Sequence, residues 1–314
     1  MALVQISSDG TGFWQGDLHP LPASAPVVIM LHGYKYRPGS ATDCPHTSLF
    51  ARHSNHPALR SRPWPVRLRI GTPRISAVGF GWPARGSLWT AWRQAEIAGS
   101  ALADLIARLQ HDAPKRPIHL LGHSLGARVA LTALRHSAPG AVRTAILLNG
   151  ADFDRHATCV ADHHRGTPFH LINVTSRENA VFDALTELCL LAPMRSERAI
   201  GRGLSGPNTV TLRLDHAEDR KRLVGLGFDV PPPDRSICHW STYLRPGTGA
   251  LYRALFDGSL PAHRLRAALS DTQRGSAPPA PDLAAQAIQA QSPASSFSKY
   301  AHATAPKGTS PVMS

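Results

Sequence analysis

The chain has 314 residues, enough for one large α/β domain with extras or two small ones, and 42% hydrophobic content supplies a substantial core. Its formal charge of +13 is carried mostly by arginines scattered along the sequence rather than gathered in one run, and no nucleic-acid-binding signature accompanies them. A specific nucleic-acid partner is therefore not expected, and the basicity reads as compositional bias with weak anion binding as a side effect.

The N-terminus has no basic segment leading into an apolar one, and no apolar run approaches the length of a membrane span. Cys44, Cys159, Cys189 and Cys238 lie far apart with no C-x-x-C pair, so neither a zinc site nor a disulfide framework follows. The expectation is a cytoplasmic protein. The first element read from the pattern is a short buried strand, Ala25 to Met30, running into Leu31-His32-Gly33-Tyr34. Arg74 to Gly81 repeats that pattern and closes on Trp82-Pro83. Between Ser87 and Asp112, Leu88, Trp92, Ala95, Leu102, Leu105 and Leu109 recur at the three-to-four spacing of an amphipathic helix. A strand over Pro117–Leu121 and a helix over Ala127–His136 follow, then strands at Val142–Leu148 and Phe169–Thr175. Asn179–Leu191 reads as a helix, Thr209–Leu214 as the last strand and Thr248–Phe256 as a closing helix.

Strands alternating with helices predict a mostly parallel sheet with right-handed crossovers and helices on both faces. Two segments interrupt the alternation. Lys35 to Arg69 is long and rich in Pro, His and Arg, and as an insertion after the first central strand it is expected to lie over the carboxyl edge of the sheet. Beyond about residue 268 the composition shifts to Ala, Pro, Ser, Gln and Thr, which predicts a folded domain over 1–268 and a disordered tail over 269–314.

Gly122-His123-Ser124-Leu125-Gly126 sits between the third of these strands and its helix. A G-x-S-x-G pentapeptide at a strand-to-helix turn is a nucleophile elbow, in which a strained backbone lifts a serine Oγ above the sheet. Glycines two positions either side are needed because strand and helix pass too closely for a Cβ. With this elbow and order of elements, residues from about 20 to 260 resemble an α/β-hydrolase-fold serine hydrolase, esterase- or lipase-like. Phe80-Gly81-Trp82-Pro83-Ala84-Arg85-Gly86 resembles a poorly characterised bacterial subgroup of that superfamily.

The resemblance implies the α/β-hydrolase fold, a Ser–acid–His order along the chain, and acyl-transfer chemistry on a small-molecule acyl substrate without a cofactor. A serine hydroxyl needs a base to take its proton, and the base needs a third group to fix its tautomer. In that superfamily the histidine follows the last strand, which selects His239 in the Ser236–Trp240 loop over His216, whose place reads as a helix start. The acid follows the strand before last, where Glu178 lies in the turn; Asp183, one helical turn on, and Asp152 or Asp154 after the preceding strand are the alternatives. The helix-terminal position of Glu178 is equally that of a carboxylate serving the helix dipole.

Two backbone N–H groups are expected to form the oxyanion hole: Leu125, immediately after the nucleophile, and Tyr34, after His32-Gly33. Tyr34 reads equally as a wall aromatic. The clusters Cys44, His46, His53, His56 and His156, Cys159, His163, His164 match no zinc spacing, so no metal is expected. A non-catalytic α/β-hydrolase-like protein that binds a ligand or partner is the alternative from another class.

Overall fold

The computed structural model describes residues 2–19, 21–53, 63–190 and 197–273. Strand β1 (Leu3–Ser8) opens the chain with alternate residues buried, pairs antiparallel with the two-residue β2 (Trp14–Gln15), and enters the sheet parallel to β4 (Ser76–Gly81). The strands β3 (Val27–Leu31), β5 (Ile118–His123), β6 (Thr144–Leu148), β7 (His170–Thr175) and β8 (Thr209–Arg213) complete one sheet in the order β2-β1-β4-β3-β5-β6-β7-β8. All pairings but the first are parallel. Strands β3, β4, β5 and β6 are buried at every residue, as expected of parallel strands covered on both faces.

Helices α2 (Leu88–Asp112), α3 (Leu125–His136) and α4 (Asp154–His163) contribute to the core on one face. The other face is covered by α1 (Trp64–Leu68), α6 (Ala217–Gly225), α7 (Ser241–Leu244), α8 (Thr248–Asp257) and α9 (Ala262–Gln273). Helix α5 (Ala180–Leu190) continues directly from a 3-10 turn at Arg177–Asn179. From β3 the chain moves outward to β4, and from β5 it proceeds the other way to β6, so the order reverses between the neighbouring strands β3 and β5. Ligands of such sheets bind beyond the carboxyl ends of the strands at that reversal. Ser124 and the His32–Tyr34 turn both lie there.

The parallel sheet with helices on both faces is the architecture expected. Three differences have physical causes. Strand β1 and helices α4 and α6 escape the pattern because they bury few apolar side chains: α4 buries Ala157, Val160 and Ala161, and α6 only Leu223 with Asp219. The described parts of the Lys35–Arg69 insertion only partly lie at the carboxyl edge. Pro38 and His46 meet Gly81 at the end of β4, whereas Phe50 presses on Gly79 and joins Trp64 and Leu68 in the core beneath. Finally, α9 runs through the expected boundary at residue 268 and buries Leu269. The rest of the expected tail lies outside the described residues, as does His56.

Candidate active site

The elbow has the local geometry its sequence requires. Ser124 has φ 55° and ψ −125°, a left-handed backbone that non-glycine residues rarely adopt. A Cβ on Gly122 would meet the Gly126 carbonyl oxygen at 2.5 Å, and one on Gly126 would meet the Leu31 carbonyl oxygen at 2.3 Å. Helix, strand β5 and strand β3 therefore converge at a spacing only glycine permits. Gly33 is under the same constraint, since its Cβ would fall 2.7 Å from the Ser124 Cβ. The turn after β3 thus lies directly against the serine.

That turn is held by the Trp82–Gly86 stretch. The His32 and Trp82 rings stack, with an interplanar angle of 5°, and the Trp82 indole N–H donates to the His32 carbonyl at 3.1 Å. In return His32 Nε2 accepts the Trp82 backbone N–H at 3.0 Å, which leaves Nδ1–H to donate to the Gly33 carbonyl at 2.8 Å. Burial holds His32 neutral, its pKa lowered to about 3. Lys35 N–H donates to the Ala84 carbonyl, Ala84 N–H to the Tyr36 carbonyl, and the Tyr34 phenol to the Gly86 carbonyl. Leu125 opens α3, and the first N–H groups of a helix have no acceptor within it. Tyr34 N–H likewise has no acceptor among the described residues.

His239 is brought to the elbow by its backbone. Its carbonyl accepts from His123 Nε2–H and from Asn149 Nδ2–H, both at 2.9 Å, and His123 immediately precedes Ser124. Cys238 N–H donates to the Glu178 carbonyl at 2.9 Å, which seats the histidine loop on the turn after β7. The His239 ring stacks on Phe182 with centroids 4.4 Å apart. Desolvation, with the neighbouring His123 a smaller contribution, lowers the His239 pKa to about 2, so the imidazole is neutral at physiological pH. Ser124 Oγ makes no hydrogen bond to His239 or to another described residue. Contacts of this kind commonly tighten only when substrate is seated.

The group at His239 Nδ1 is not the carboxylate expected. Asn179 Oδ1 lies 2.6 Å from Nδ1. Glu178 is turned away into a buried ion pair with Arg245 and also accepts from Ser176 Oγ at 2.9 Å. Adjacent residues in a 3-10 turn project about a third of a turn apart, so only one of them can face the histidine. Asp183 does not touch His239 either; its Oδ1 accepts from Asn179 Nδ2–H at 2.9 Å. Asp152 is committed to His156, Arg128 and the Phe153 N–H, and Asp154 accepts from the backbone of Arg155 and Arg198. His216 caps α6 beside Asp219.

Asn179, Trp82, Asn149 and His123 are neighbours to which the sequence pattern assigned no role at the site. Asn179 carried a signal, since it stands in the turn after β7 next to Glu178. Among the described residues no cluster of His, Cys, Asp and Glu is arranged to hold a metal. No helix there is long and apolar enough to cross a membrane.

Residues 22–172 match the model of a family described as "Alpha/beta hydrolase of unknown function (DUF900)". No curated protein matches the chain. Among solved structures, an acetylxylan esterase is similar at 12% sequence identity, covering 77% of this chain and 100% of its own, with a TM-score of 0.35.

Proposed function

We propose that this chain, an α/β-hydrolase-fold protein, is a serine hydrolase that cleaves a carboxylic ester or related acyl bond through an acyl-enzyme. The observation that carries the reading is the strained Ser124 elbow, placed against the Gly33 turn and under the loop that delivers His239. A backbone of this kind costs about 1–3 kcal/mol and persists where the surroundings impose it, commonly at functional sites.

In the proposed reaction Ser124 Oγ attacks the acyl carbon while its proton passes to His239 Nε2. The developing oxyanion lies toward the N–H groups of Leu125 and Tyr34. His239 then returns the proton to the departing alkoxide, leaving the acyl group on Ser124. Water, deprotonated by the same nitrogen, releases the acid and restores the serine. Asn179 accepts from Nδ1–H and so keeps the Nε2 lone pair available for the hydroxyl proton.

One observation favours the alternative of a non-catalytic binding protein: an amide, not a carboxylate, stands at Nδ1. An amide oxygen can fix the same tautomer, as the Cys-His-Asn arrangement of other hydrolytic enzymes does. It withholds only the charge that stabilises an imidazolium. The discriminating experiment is hydrolysis of p-nitrophenyl esters of graded chain length by the wild type and by Ser124→Ala. Turnover by the wild type and its loss in the variant support the enzyme. Turnover equal in both proteins overturns the role of Ser124.

A further inference from the structure

An amide is symmetrical in shape but not in polarity, and its use at a histidine raises a question a carboxylate does not. If Asn179 presented its NH2 end to Nδ1, the imidazole would carry its proton on Nε2 and could not accept one from Ser124. Something must therefore hold the amide with its oxygen toward His239. The other end of the amide meets Asp183, at 2.9 Å from Nδ2 to Oδ1. Both residues are buried, Asn179 at 1% and Asp183 at 7% exposure.

We propose that Asp183 is a positioning residue: as a carboxylate with no proton to give, it accepts only the NH2 end of Asn179 and thereby sets the tautomer of His239. The inference rests on the reading of Ser124 and His239 as nucleophile and base. The geometry makes the contact hard to avoid. A Cβ on Gly201 would fall 2.1 Å from Asp183 Oδ1, so the carboxylate is packed against a backbone that only glycine leaves open. A protonated Asp183 could instead donate to the Asn179 oxygen, and the amide would turn over with the loss of the active tautomer.

The groups around Asp183 place that protonation within reach. Burial raises its pKa to about 7, opposed by the Asn179 hydrogen bond; Glu187, one turn along α5, raises it and Arg202 from the Ile200–Arg202 turn lowers it. Arg202 is itself paired with Glu187, so its positive charge is shared. Because the folded pKa of Asp183 is raised, the active arrangement is present above about pH 7 and lost as pH falls through it. His239 titrates far lower, so the limb belongs to the carboxylate.

The test combines the tautomer with turnover, on the full chain. With 15N-labelled histidine, NMR reads which ring nitrogen of His239 carries the proton between pH 5 and 9, with no variant required. The expected result is Nδ1–H at pH 8 shifting toward Nε2–H below pH 7. Asp183→Asn, near-isosteric, should give mixed tautomers at pH 8 and lower kcat about 10- to 100-fold with little change in KM, within the range general-base catalysis contributes. Adding Asn179→Asp to Asp183→Asn should restore kcat and remove the pH 7 limb, since a carboxylate at Nδ1 needs no partner to orient it. A wild-type His239 protonated on Nε2 at pH 8, or a tautomer unmoved by pH and by Asp183→Asn, overturns the proposal. If Ser124 proves unreactive while the tautomer responds as described, the hydrolase reading fails and the positioning role of Asp183 stands.

Discussion

Trp82 grips His32 from two directions, its indole N–H on the histidine carbonyl and its backbone N–H on the imidazole. The pair joins the carboxyl end of β4 to that of β3 and fixes where the Gly33–Tyr34 turn lies against Ser124. The proposed oxyanion donor is thus set by a residue 48 positions away in the chain. Trp82→Phe keeps the ring stack but leaves the His32 carbonyl without its donor. The expected cost in unfolding free energy is about 1–3 kcal/mol for an unsatisfied buried acceptor, with a fall in kcat that exceeds any change in KM. Chemical denaturation beside steady-state kinetics checks both; unaltered stability and kcat would show that the stack alone holds the turn.

Gly33→Ala tests the same contact from the other side. The added methyl would fall 2.7 Å from Ser124 Cβ, 3.1 Å from the His123 carbonyl oxygen and 3.2 Å from Ser124 Oγ, and the Cβ and the carbonyl are fixed by the elbow backbone, which cannot yield cheaply. Ester turnover should fall by about two orders of magnitude or more, the scale of losing one oxyanion donor. Wild-type turnover in the alanine variant would place the reacting atoms elsewhere.

Glu178→Gln separates a structural carboxylate from a catalytic one. The Glu178–Arg245 pair is buried on both sides, and Arg245 also donates to the Leu214 carbonyl at 2.7 Å. Removing the acid leaves an uncompensated buried guanidinium, with an expected loss of about 3–5 kcal/mol. A lowered melting temperature with kcat nearly preserved in the folded fraction is the predicted outcome. The reverse, normal stability with kcat lost by orders of magnitude, would return Glu178 to the role of acid.

Acid lability follows from the buried histidines. His32 and His119 have pKa values lowered to about 3, and His46 and His123 to about 4, all chiefly by burial. Below the ordinary histidine value of about 6.5 the unfolded chain binds protons that the fold does not, so each contributes stability that is lost as pH falls. Each histidine adds a slope of about 1.4 kcal/mol per pH unit once the unfolded form is protonated and the folded form is not. Asp183, with its raised pKa, opposes them by one group between about pH 4 and 7. Melting temperature should therefore drop steeply from pH 7 to pH 5. A flat profile across that range would mean these side chains protonate in place.

The sheet and the elbow were legible because their signals are local and strong. Val27–Leu31 is an unbroken apolar strand, Ile118–His123 carries the apolar Leu120-Leu121 pair into the elbow, and Gly122 and Gly126 stand where two elements touch. The loop after the last strand was legible as the place of a histidine, and His239 in that loop lies with its carbonyl on His123, next to Ser124. The partner of His239 Nδ1 was not legible, because Glu178 and Asn179 are neighbours in one turn and which of them faces the ring depends on Arg245, 66 residues beyond Asn179, which draws the carboxylate away. Nor does any local pattern announce that Asn149 and His123 both hold the His239 carbonyl, since that contact exists only once β5, β6 and the histidine loop have come together.

In the proposed function Ser124 is a nucleophile activated by His239. Intact-mass analysis after exposure to a fluorophosphonate measures this most directly, because the probe reports the nucleophile whatever the natural substrate is. A single covalent adduct is expected, mapped to Ser124, absent from Ser124→Ala and formed at least about a hundredfold more slowly in His239→Gln, the lower end of what general-base catalysis contributes. Absence of an adduct on the wild type, or an adduct that persists in Ser124→Ala, would contradict that role of Ser124.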